Sequence, residues 1–238
     1  MLPKWQTAIV KQIEQATPNT RKYWLELVET TIFNFLPGQF TTLDLPISEQ
    51  RNKRWRSYSI ASMPQENNII ELIIAKQKNG VGSVYIFDEI KEGDTLTIRG
   101  PQGHFVLPEM LNKDLFFICT GTGIAPFRSM LLYIEKHKTP HKKIYLIFGT
   151  RQQEDLLYKD EMLELQNRIE DFHYYPTISR EKWDGYMGYV HPIYEALCIN
   201  KQEAIFMLCG WRAMIDEAKE RILLAGYEKK DIHMELYG

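Results

Sequence analysis

Apolar and polar positions change rhythm once along this chain. Through the first hundred or so residues, short β-type runs cover residues 7–13, 23–27, 40–45, 57–61, 69–75 and 95–99. Turn formers separate them: Pro37-Gly38, Pro46, Pro64, Gly80, Gly93-Asp94 and Gly100-Pro101. Such spacing predicts a small antiparallel barrel or sandwich. Only residues 83–90 in this half read as a helix. After Pro108 the period lengthens. Strand-like runs at 115–119, 143–148, 173–178 and 204–208 alternate with helical patterns at 127–137, 156–169, a stretch reaching Leu197, and 213–225. Alternation of that kind predicts a parallel sheet with right-handed crossovers. The break between the halves falls within residues 101–114, which suggests domains at 1–108 and 109–238.

Composition narrows the partners. Lys and Arg number 29 against 31 Asp and Glu, a net charge of −2, which gives no global electrostatic reason to bind nucleic acid or an anionic membrane. The first eleven residues lack the basic-then-apolar order of a secretory leader, and no apolar run nears the ~20 residues of a membrane span. A cytoplasmic protein, monomeric or weakly dimeric, is the expectation. Cys119, Cys198 and Cys209 are far apart and have no partners at zinc spacing, so no metal site or chain-borne cluster is expected.

Two fragments could carry chemistry. In the second half, strand 115–119 runs into Gly121-Thr122-Gly123 and then a helix. Glycines there let a backbone approach a pyrophosphate at a helix N-terminus, although they equally make an ordinary tight turn. The missing third glycine and Pro126 disfavour an ordinary dinucleotide fingerprint. In the first half, alternation along Arg56-Ser57-Tyr58-Ser59 puts a guanidinium beside an aromatic ring, suited to a flavin nucleotide. An unremarkable barrel strand reads the same way.

Their order and separation, however, resemble those of the ferredoxin–NADP reductase superfamily, whose flavin motif RxYS is similar to Arg56-Ser57-Tyr58-Ser59. Other segments resemble that family's signatures in the same order: Pro37-Gly38-Gln39-Phe40, Gly80-Val81-Gly82-Ser83, Gly100-Pro101-Gln102-Gly103-His104-Phe105, Gly121-Thr122-Gly123-Ile124-Ala125-Pro126, Phe148-Gly149-Thr150-Arg151, Cys209-Gly210 with Met214, and the terminal Glu235-Leu236-Tyr237-Gly238. The resemblance implies a six-stranded antiparallel β-barrel for FAD followed by a parallel α/β domain for NAD(P).

It also implies roles. Arg56 holds the FAD pyrophosphate, Tyr58 packs on the isoalloxazine, and Ser59 sits near the reactive nitrogen. Gly80, Gly82 and Ser83 receive the flavin phosphates; Lys76 either assists or is a surface lysine. Gly121, Thr122 and Gly123 receive the pyridine nucleotide, Thr150 and Arg151 form a second contact loop, and Cys209 and Gly210 lie by the nicotinamide. Glu235 organises the hydride site, and Tyr237 stacks over the flavin and is displaced for transfer, with Gly238 one residue beyond the usual end. Ser179, Arg180 and Lys182 suit a 2′-phosphate and Tyr189 an adenine, which favours NADPH over NADH. The implied activity is reduction of FAD by NAD(P)H and release of single electrons to a ferredoxin or flavodoxin, for which Arg51, Lys53 and Arg54 offer a basic docking group. Alternatives are the reductase component of a multicomponent oxygenase, a nucleotide-responsive regulatory subunit, and a binding module that has lost FAD.

Overall fold

The structure is a computed structural model that describes residues 3–237, the last by its backbone alone. The chain divides into two compact units, Met1–Leu107 with Arg128–Met130, and Pro108–Phe127 with Leu131–Gly238.

In the first unit, β1 (Trp5–Thr17), β2 (Thr20–Leu27), β3 (Phe40–Asp44), β4 (Trp55–Ser59), β5 (Ile69–Ala75) and β6 (Thr95–Gln102) form one antiparallel sheet in the order β4-β3-β6-β1-β2-β5. An antiparallel bridge from Ile60, just past β4, to Leu72 of β5 joins the two ends, so the sheet closes as the expected six-stranded barrel. Period-two alternation turns Ala8, Val10, Tyr23, Leu25, Leu27, Leu43, Leu72 and Ile98 into a common core. Helix α1 (Val81–Asp88) contributes Ile86 and Phe87 to it.

The second unit is a parallel sheet ordered β10-β9-β8-β7-β11-β12, from β7 (Asp114–Thr120), β8 (Ile144–Thr150), β9 (Phe172–Ile178), β10 (Tyr186–Met187), β11 (Ala204–Trp211) and β12 (Ile232–Tyr237). Helices α2 (Ile124–His137), α3 (Lys159–Arg168), α4 (His191–Leu197) and α5 (Arg212–Leu224) connect the strands. β8 is buried along its whole length, as expected of a strand covered on both faces. Phe116, Ile118, Ile147, Phe206 and Leu208 pack on one face with Ile193, Ile215, Ala218 and Ile222 from α4 and α5. On the other, Phe117 stacks on Phe127 of α2. The chain leaves β7 in one direction toward β8 and later returns on its other side as β11. In open parallel sheets such a reversal is where a ligand crevice is expected, at the strands' C-terminal ends.

The differences from the sequence expectation are local. β4 begins two residues earlier than expected, at Trp55, because its pairing with β3 runs from Asp44↔Trp55 to Phe40↔Ser59. α3 starts only at Lys159, since Tyr158 takes a left-handed conformation at φ 54°. β10 and β12 were not expected; both are edge strands with short or half-exposed runs.

Behind this sheet His191 is buried at the start of α4. Its Nδ1 lies 3.0 Å from the Tyr194 hydroxyl and its Nε2 3.3 Å from Glu217, which Arg221 also holds while reaching Glu195. Burial holds its pKa below the usual 6.5, with Arg221 acting the same way and Glu217 and Glu195 opposing. An imidazole depressed in the folded state is protonated preferentially by the unfolded chain. Its contribution to stability is therefore complete above about pH 6.5 and is lost as pH falls below it. Melting scans at pH 7.5 and 5.5 should show a larger drop for the wild type than for His191→Gln; equal drops would remove the assignment.

Candidate functional site

Two clusters of sequence-predicted residues form, one in each unit. In the first, Arg56 on β4 lies against the start of α1: a Cβ on Gly82 would fall 2.8 Å from Arg56 Nε and 2.9 Å from its Cγ. Glycine is required for that approach. Arg56 Nη1 donates to the carbonyls of Lys53 at 3.0 Å and Trp55 at 2.7 Å, which fixes the side chain. α1 is capped by Gly80 without any side-chain cap, so the N–H groups of Val81, Gly82 and Ser83 have no helical acceptor. A guanidinium beside uncapped helix donors is a donor set suited to an anionic phosphate group.

The neighbouring residues divide. Tyr58 packs at the edge of the barrel core, and burial pushes its hydroxyl pKa up, so the ring stays neutral. Ser59 is 3% exposed. The Ser83 hydroxyl accepts the Gln77 N–H at 2.9 Å and donates to the Gly80 carbonyl at 3.0 Å. Its proton is spent here on shaping the loop that carries Gly80 and Gly82. Lys76 is ion-paired to Asp88 at 2.5 Å, at the far end of α1 from Gly82. Of its two readings the structure favours a surface ion pair.

In the second unit the turn that follows β7 meets the end of β11. Gly121 has φ +54°, and nothing lies within 4 Å of where its Cβ would be, so the turn opens onto free space. Gly123 is the opposite case: its Cβ would fall 2.3 Å from the Cys209 carbonyl oxygen. α2 starts behind this turn with no side-chain cap, and Pro126 in its first turn gives up an N–H that the helix does not use. The Ile124 N–H is bonded back to the Gly121 and Thr122 carbonyls, so it is the open side of the 121–123 turn, itself without a side-chain cap, that suits a dinucleotide phosphate. Cys209 is register partner of both Cys119 on β7 and Glu235 on β12, so two residues expected to act together do stand side by side. Its side chain is fully buried. Cys119 and Cys198 are buried too, and burial raises both thiols, Cys198 to about 11, which fits inert packing. The Tyr237 side chain and Gly238 lie outside the described residues.

At the C-terminal ends of β8 and β9 the Ser179 hydroxyl donates to the Thr150 carbonyl at 3.1 Å, and Arg180 N–H donates to the Arg151 carbonyl at 3.0 Å. The two predicted loops thus run side by side. Arg151, Arg180 and Lys182 have no ion pair among the described residues, while Glu181 turns away to accept the Gln153 N–H. Tyr189 is 72% exposed nearby in sequence.

The sequence reading missed two features. Arg99 lies between Trp5 and Trp55, 4.6 and 4.9 Å from their ring centroids, an arrangement that pairing across separate strands creates. Thr120 also touches the end of β11. Of the basic loop, Arg54 is ion-paired to Asp44 at 2.8 Å and Arg51 sits over Trp55, which leaves less free charge than three cations suggest. Among the described residues no group of three metal-ligating side chains occurs, and no helix is long and apolar enough to cross a membrane.

Comparison with known proteins assigns a family model to each half of the chain. Residues 7–107 match the family model of an oxidoreductase FAD-binding domain, and residues 117–220 that of an oxidoreductase NAD-binding domain. The chain is 30% identical over 238 residues to ferredoxin–NADP reductase B of Sorangium cellulosum, covering 94% of each chain. It is 33% identical over 188 residues to the anthranilate 1,2-dioxygenase electron transfer component of Acinetobacter baylyi, covering 78% of this chain and 53% of that one. The chain therefore spans about half the length of this second relative. A crystal structure of a ferredoxin NADP+ reductase from Neisseria gonorrhoeae with bound FAD and NADP superposes with a TM-score of 0.81 at 25% identity, over 98% of each chain.

Proposed function

The chain belongs to the ferredoxin–NADP reductase superfamily, and on that premise we propose that it takes hydride from NADPH onto FAD and passes single electrons to an external carrier, a ferredoxin or flavodoxin. One observation carries the reading: each unit holds a glycine-shaped turn whose backbone starts a helical segment without a side-chain cap, at Gly82 under Arg56 and at Gly121-Thr122 beside Gly123. When bound, FAD supplies the conversion of a two-electron donor into one-electron steps; the protein supplies binding, position and electrostatics.

In this reading residues 1–108 bind FAD and residues 109–238 bind the nucleotide. Arg56 and the first turn of α1 neutralise the flavin pyrophosphate, Tyr58 lines the ring, and buried Ser59 offers its hydroxyl at the ring's edge. Gly121, Thr122 and Gly123 carry the nucleotide pyrophosphate, Cys209 and Glu235 back the nicotinamide, and Tyr237 gates its place. The NADPH pool and the lack of any described spanning helix suit a cytoplasmic enzyme. A second reading, the reductase component of an oxygenase, is favoured by the similarity to the Acinetobacter electron transfer component. It differs only in what accepts the electrons.

Purified protein should retain FAD and lose its yellow colour anaerobically with NADPH. A protein that takes up no FAD sinks the proposal. Preference for NADPH rests on Arg180, whose contact with a 2′-phosphate is a charge-assisted bond of roughly 1.5–3 kcal/mol. Arg180→Ala should therefore raise the KM for NADPH by about ten- to a hundredfold and leave that for NADH unchanged, as steady-state reduction of a dye would read. Equal losses with both nucleotides would count against that role.

A further inference from the structure

The backbone ladder between β7 and β11 has its last pair at Cys119↔Cys209. One residue further, a side chain takes over the link. Thr120 Oγ1 accepts the backbone N–H of Trp211 at 3.3 Å. Gly210, between the two, has φ +142°, and a Cβ there would fall 2.4 Å from Thr120 Oγ1 and 3.0 Å from the Thr120 nitrogen. On the other side of the same contact a Cβ on Gly123 would fall 2.3 Å from the Cys209 carbonyl oxygen. Two glycines thus let the turn 121–123 and the last residues of β11, 209–211, touch backbone to backbone, and a threonine hydroxyl bonds across the place where they meet. Trp211 is also the residue that caps α5, so the same bond fixes where that helix begins.

We propose that Thr120 is a positioning residue, whose hydroxyl holds the Cys209-Gly210-Trp211 end of β11 at a set distance from the Gly121–Gly123 turn so that a nicotinamide nucleotide carried on one is presented correctly to the other. This rests on the nucleotide-binding reading above. Thr120 touches neither reacting atom; it acts through Gly210 and Trp211. A displacement of about 1 Å in such an arrangement costs rate far more than affinity, because the nucleotide keeps its phosphate contacts while its reacting carbon loses alignment.

The test compares Thr120→Val, which keeps the shape and deletes the acceptor, with Thr120→Ser, which restores it. With flavin-loaded protein, Thr120→Val should lower the stopped-flow rate of reduction by NADPH about tenfold and leave the Kd for NADP+ within about threefold. Independently of turnover, exchange of the Trp211 amide proton should quicken in Thr120→Val and return to the wild-type rate in Thr120→Ser. Because Trp211 is 52% exposed, its N–H can turn to water, and the Tm should hardly move. Wild-type reduction and exchange in Thr120→Val overturn the proposal. So does a Thr120→Ser protein as slow as Thr120→Val, which would show that the methyl rather than the hydroxyl matters. If the wild type is not reduced by NADPH at all, the functional reading fails, while the exchange comparison still reports whether the hydroxyl holds the end of β11.

Discussion

Gly123→Ala is expected to slow reduction of the bound flavin by NADPH at least about 100-fold while leaving the flavin in place. The added methyl would lie 2.3 Å from the carbonyl oxygen of Cys209. That oxygen is backbone on a buried parallel strand, held on both sides by β7 and β12, so it cannot swing aside as the end of a long side chain could. Either the turn 121–123 or the end of β11 must move by about 1 Å, and misplacement on that scale costs about two orders of magnitude in a reaction that depends on alignment. Flavin binding belongs to the other unit and should survive. Gly121→Ala is the informative companion. Its φ of +54° makes alanine unfavourable by about 1–2 kcal/mol, yet nothing occupies the space, so binding should weaken modestly without the same collapse in rate. Stopped-flow traces and the visible spectrum of each variant give both quantities. A Gly123→Ala protein reduced at more than a tenth of the wild-type rate, or one no worse than Gly121→Ala, would show that the turn and the end of β11 do not meet as described.

Both fold classes were legible because the two halves carry different patterns, short strand runs between turn formers in the first and strand runs alternating with helical ones in the second. Strands such as β2, with Tyr23, Leu25 and Leu27 inward, alternate as a half-buried barrel strand must, whereas β7 and β8 carry continuous buried apolar runs through Leu115–Cys119 and Ile144–Phe148, as strands covered on both faces do. β12 was not, because an edge strand with exposed His233, Met234 and Leu236 has no single-face pattern to display. Its identity is set by pairing with β11, which no local period records.

Site residues were legible in proportion to how far glycine reports a close approach. Gly82, Gly123 and Gly210 each stand where a neighbour comes within 3 Å, and each falls in a motif. The partners of polar side chains were not legible. That Lys76 would be spent on Asp88, Arg54 on Asp44, and the Ser83 proton on the Gly80 carbonyl depends on which strand and helix ends adjoin. The basic loop shows the cost of missing this: three cations in sequence become one held by an aspartate, one lying over Trp55, and Lys53. Thr120 was passed over for a related reason, since a threonine before a glycine turn looks like any strand residue until the strand end it meets is known.

Those partnerships decide which cation serves the flavin, and they make Arg56 the residue whose loss should matter most in the first unit. Arg56→Ala should weaken FAD binding roughly 100-fold, as judged by fluorescence titration of the flavin-free protein. Among the described residues the guanidinium spends only Nη1 on the Lys53 and Trp55 carbonyls, so further donors remain for a phosphate beside the α1 first turn, which has no side-chain cap. Charge-assisted hydrogen bonds contribute about 1.5–3 kcal/mol each, and one strong or two moderate ones account for that factor. Arg56→Lys should fall between, since an ammonium cannot grip two oxygens in the fork geometry or lie flat across Gly82. Lys76→Ala is the control: its charge is paired to Asp88 at the other end of the helix, so FAD affinity should stay within about twofold. If Arg56→Ala held FAD as well as wild type, or Lys76→Ala lost as much, the pyrophosphate would have to lie elsewhere than at the mouth of α1.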